Sequence, residues 1–166
     1  MASAKDIIFI AVILFTFAIG FFIVHYAANT MVTEMLAYEE INESEATVEA
    51  MGGVASVTAR LDYVIFGVFM ALILALIVAG YFVGGVPLFM FIYFIVIVLT
   101  VVISAVLSNV WETITTTTAL SGSLSAFPIT NHLMLNLPLY MSIIGFIGLI
   151  AMFAKPLSQG GGGEQY

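Results

Sequence analysis

The sequence predicts an all-α integral membrane protein: four transmembrane helices with an acidic extramembrane helical hairpin. Hydrophobic residues make up 63% of its 166 positions and charged ones only 8%, against about 25% charged in an ordinary soluble domain. Four long runs, 7–24, 63–86, 88–107 and 139–154, contain no charged residue. Most of the carboxylates gather between the first two runs, which sets one polar segment apart from a very apolar chain. With 3 Lys plus Arg against 10 Asp plus Glu, a net charge of −7, there is no basic surface for nucleic acid. The absence of cysteine removes disulfides and thiolate chemistry together.

The first span is placed at about 7–28. A helix rises roughly 1.5 Å per residue, so runs of about 16 to 24 residues reach about 24–36 Å, which brackets the hydrocarbon core of roughly 30 Å. Lys5 ahead of an apolar run also suits a secretory signal. The run exceeds the usual 7 to 15 residues, and His25-Tyr26-Ala27 is a poor cleavage site, so a retained anchor is expected.

Residues 29–60 carry Glu34, Glu39, Glu40, Glu43, Glu45 and Glu49, a proposed partner-contact surface. No EF-hand spacing is present, and the bland alternative is a solvated acidic face. Met31, Val32, Met35 and Leu36 extend the first helix beyond lipid to about Tyr38. Asn42 and Glu45 fit a capping box opening a short helix that ends at Gly52-Gly53, and Ser56 or Thr58 can cap the next helix.

The second span, 61–84, and the third, 87–109, are separated by so short a linker that an antiparallel hairpin is expected, with Pro87 in a first turn. Lipid tails are as apolar as leucine, so helix association relies on small and hydroxyl residues. The second span offers Gly67, Ala71, Ala75 and Ala79 at intervals of four, with Gly80 and Gly84 beyond. The third offers Thr100, Ser104 and Ser108, and the fourth, 139–155, offers Ser142, Gly145, Gly148 and Ala151. These residues are expected to pack spans two, three and four on each other, leaving the Phe-rich first span looser. An oligomer seam is the alternative role for the second span's stripe.

Segment 110–138 is polar but has almost no charge. Within it, 127–138 reads as a short interfacial helix with an N-cap at Thr130, or as a re-entrant piece. The tail, 156–166, is glycine-rich and expected to be flexible. Tyr26, Tyr63, Trp111 and Tyr140 all fall at one interface in the four-span arrangement. Lys5 and Lys155 against Arg60 then favour both termini on the same side, the cytoplasmic or interior one.

Neither His25 nor His132 has an i+3 or i+4 ligand partner. An interfacial hydrogen-bonded histidine is expected at each, rather than a metal site built with Glu34 or Glu112. No hydrolase, zincin, P-loop or dinucleotide motif occurs. The expectation is a non-enzymatic structural or assembly protein, without metal or cofactor, working within a larger complex. A lipid-containing virus particle and an accessory subunit of a membrane complex are two settings for it. Its partners are the lipid bilayer, other membrane or capsid-type subunits, and copies of itself; nucleic acid is not among them. The alternative is an oligomeric channel or holin-like pore, with Thr100, Ser104 and Ser108 lining the lumen.

Overall fold

The computed structural model describes residues 5–39, 43–83 and 87–159. Every element in it is helical: α1 (Lys5–Leu36), α2 (Glu45–Thr58), α3 (Leu61–Val83), α4 (Pro87–Thr115), a 3-10 helix (Ser121–Ala126), α5 (Pro128–Leu135) and α6 (Leu137–Gln159). Ile7–Leu36, Glu45–Val78 and Met90–Thr115 are long and apolar enough to cross a membrane. A fourth crossing is counted when α5 and α6, bent by 74° at their junction, are taken as one. Helices dominate because in lipid each backbone N–H and C=O must find its partner within the segment.

Several boundaries differ from expectation. Asn42 lies outside the described residues, and Ser44 is the N-cap of α2, with extended backbone and a bond from the Thr47 hydroxyl. The helix continues through Gly52-Gly53 to Thr58. Ser56 and Thr58 do not cap α3. Their hydroxyls donate back to carbonyls of their own helix, Gly53 for Ser56 and Val54 and Ala55 for Thr58. α4 runs six residues beyond the expected end at 109, because Thr113 and Thr115 turn their hydroxyls onto carbonyls within the helix and leave its ladder intact. α6 likewise continues through Lys155-Pro156 to Gln159, and the rest of the tail lies outside the described residues.

The helices pack in a different order from the one expected. α3 and α4, neighbours in the chain, barely touch among the described residues. α6 inserts between them, and α1 packs against both from the other side. α1 is therefore a core helix. Ile7, Ala11, Leu14, Ala18 and Phe22 are completely buried, while Phe9 and Phe17 point outward. Ala11 and Ala18, seven residues apart on one face, let the neighbouring backbones come close. Counting phenylalanines concealed that stripe.

The small residues of α3 face away from the bundle. Gly67, Ala71 and Ala75 are exposed, and α3 packs through Ile65, Phe69 and Leu76. Side chains of Ala79 and Gly80 are not described, and Gly84 lies outside the described residues. On α6, by contrast, Gly145 sits under Ile97 and Gly148 under the Tyr93 hydroxyl, both from α4. A methyl at Gly148 would collide with that hydroxyl, so Gly148→Ala is expected to lose about 1–3 kcal/mol by overpacking. At Gly67 an added methyl meets nothing within 4 Å, and Gly67→Ala should be neutral or stabilising by up to about 1 kcal/mol. Unfolding of the two variants in mixed micelles checks the contrast, and equal effects would contradict the packing.

Candidate functional site

At the hairpin end of the bundle, where α2 folds back against α1, three polar contacts converge on α5. Asp62, in the first turn of α3, is only 3% exposed. Its two carboxylate oxygens accept the backbone N–H groups of Ile129 (3.0 Å) and Thr130 (2.7 Å). Those are among the donors that a helix start leaves without an intrahelical acceptor, and the carboxylate also meets the positive end of the helix dipole. α5 has no side-chain cap of its own, since Phe127 holds the N-cap position and Pro128 begins the helix. Thr130, expected as the cap, is thus inside the helix, and a residue 68 positions away does the capping.

The rest of α5 is held to α4. The Trp111 indole N–H donates to Asn131 Oδ1 at 3.0 Å, and the Ser108 hydroxyl donates to the Leu135 carbonyl at 3.0 Å. Trp111, placed by the sequence at a lipid interface, is completely buried. Its ring lies 5.4 Å from Phe22, which in turn meets Phe127 edge-on at 5.5 Å. His25 stands edge-on to Phe127 at 5.1 Å and is buried. Its Nδ1 has no hydrogen-bond partner, in contrast to the hydrogen-bonded interfacial histidine expected there. His132 is exposed and lies against Tyr140 instead, so the two histidines face different surroundings.

The hydroxyl row of α4 is turned into the protomer. Thr100, Ser104 and Ser108 are all buried. Thr100 bonds to the Val96 carbonyl of its own helix, whereas Ser104 Oγ, like Thr130 Oγ1 and Tyr93 Oη, has no partner. A lumen between subunits lined by this row would require the protomer to turn inside out. Among the described residues no three of His, Asp or Glu gather closely enough to hold a metal ion.

Glu34, Glu39, Glu43, Glu45 and Glu49 lie on the surface, and Glu40 lies outside the described residues. Beside Glu34, a groove of about 370 Å³ opens between α1 and the 3-10 helix, lined by Tyr26, Asn29, Thr30 and Ser123 among others. Nothing in the sequence alone assigns Asp62 a partner on α5. Pro128 was the usable signal, because proline favours the first turn of a helix and marks a start whose donors need an acceptor. Comparisons of the chain with protein-family models, curated proteins and solved structures found no match in any of the three.

Proposed function

We propose that this chain is a non-enzymatic structural or assembly protein of a membrane, working inside a larger complex through the surface at its hairpin end. The observation that carries the reading is the surface carboxylate set of α1 and α2, Glu34, Glu39, Glu43, Glu45 and Glu49, next to the polar groove beside Glu34. The chain has few cations with which to neutralise these groups itself. A basic segment of a neighbouring subunit complements such a face and is steered to it by charge. The small stripe Gly67, Ala71 and Ala75, exposed to the membrane side of α3, supports close approach by another helix, from a second copy or a different subunit. A virus membrane and an accessory position in a membrane complex both suit these features, with both termini on the interior side.

The test is purification of the full chain from its native membrane in mild detergent, with the size of the assembly and the identity of co-purifying chains both measured. A stoichiometric partner is expected, lost when Glu45 and Glu49 are changed to Lys, and assembly size should fall with Ala75→Leu. A lone protomer, unaltered in size by either change, would overturn the reading.

A further inference from the structure

We infer that the groove between α1 and the 3-10 helix is a phospholipid headgroup site, which takes a phosphate and a primary ammonium together, as an ethanolamine phospholipid presents them. This goes beyond the assembly role and does not depend on it, since Glu45 and Glu49 of α2 do not line the groove.

Three observations meet in it. The first is depth. The apolar run of α1 begins at Ile7, and about 20 residues at a rise of roughly 1.5 Å cross the hydrocarbon, so the far boundary falls near Tyr26. From Tyr26 through Asn29, Thr30 and Thr33 to Glu34 the groove climbs about 12 Å from that boundary, across the layer where headgroups lie. Three residues below Tyr26 on the same face, Ile23 is 49% exposed and continues the path into hydrocarbon. A lipid can thus seat its head in the groove and run its chains along α1.

The second is a set of donors left without acceptors. Ser123 is only 8% exposed, yet it lines the groove. Ser121 and Ser125 on either side turn their hydroxyls back onto the carbonyls of Thr118 and Gly122, whereas that of Ser123 donates to no group among the described residues. Across the groove Thr33 donates to the Asn29 carbonyl, while the Thr30 hydroxyl and the Asn29 amide have no acceptor among the described residues. Hydroxyl and amide donors at headgroup depth suit the oxygens of a phosphate.

The third is charge. Among the described residues no Lys, Arg or His lines the groove, and the Glu34 carboxylate stands at its upper end. Along a helix the Cα–Cβ bond tilts toward the N-terminus, so Glu34 leans down toward the membrane. A headgroup with a phosphate and hydroxyls alone would set a second negative charge beside this carboxylate. An ammonium without a phosphate would leave the donors idle. A primary ammonium carried next to a phosphate satisfies both.

The test is native mass spectrometry of the full-length protein in detergent, offered equal amounts of phosphatidylethanolamine and phosphatidylglycerol with the same acyl chains. One ethanolamine lipid should be retained in preference by about two- to fivefold, the range of an exposed ion pair. Glu34→Gln should remove the preference. Glu112→Gln, which takes the same charge from an exposed site outside the groove, should leave it, and so separates the site from the general repulsion of a chain with net charge −7. Ser123→Ala should lower retention of both lipids and keep their ratio, because the phosphate is common to them. Soluble O-phosphoethanolamine, offered alone, should be retained far less than the lipid. Equal retention of the two lipids overturns the proposal, as does a preference that survives Glu34→Gln or disappears with Glu112→Gln, or retention unmoved by Ser123→Ala. Binding of O-phosphoethanolamine as tight as that of the lipid overturns its assignment to a membrane headgroup.

Discussion

Asp62→Ala should destabilise the fold by about 2–4 kcal/mol, because it deletes two hydrogen bonds to a charged acceptor and strands the donors. The N–H groups of Ile129 and Thr130 have no other acceptor at hand: Thr130 is completely buried, and Phe127 supplies no side-chain cap. Asp62→Asn keeps one acceptor oxygen and should lose roughly half as much on the same reasoning. Equilibrium unfolding in mixed micelles measures both. A loss below about 0.5 kcal/mol for the alanine variant, the level typical of an unimportant surface change, would mean that water replaces the carboxylate without penalty.

The second large effect is at Trp111. Trp111→Ala empties a completely buried site and should lose about 3–5 kcal/mol. Phe22 loses the ring it packs against, and Asn131 loses its donor. Trp111→Phe retains an aromatic ring against Phe22 and gives up mainly the indole N–H, so about 1 kcal/mol should go. If the two variants were equally destabilised, the hydrogen bond to Asn131 would matter more than the packing of the ring. Trp111 is the only tryptophan, so the intrinsic tryptophan fluorescence of the unaltered protein reports this cluster alone, and the Asp62→Asn variant can be followed with the same signal.

How far these features could be read in advance depends on the range of the interaction involved. The existence of each long helix was legible, and so was the acidic surface around Glu34 to Glu49, since both follow from which residues lipid accepts. The docking of α5 was not. Its clues were a proline at 128 and an aspartate at 62, and no local rule connects that aspartate to an N–H group 67 positions away. The small residues of α3 misled for a related reason. Spacing identifies a face on which close approach is possible, and Gly67, Ala71 and Ala75 form one, yet Ile65, Phe69 and Leu76 on another face make the contacts. In lipid both faces are apolar, so no solvent preference separates the inward one from the outward one.

The amino-acid order alone determined that this protein is helical, membrane-embedded and acidic at one end, because the cost of exposing backbone and charge to hydrocarbon acts residue by residue. Only the tertiary structure decided that α1 is a core helix, that α6 separates α3 from α4, and that Asp62 closes the end of α5. Those outcomes depend on shape complementarity and hydrogen-bond geometry between segments far apart in the chain, which neither composition nor spacing encodes.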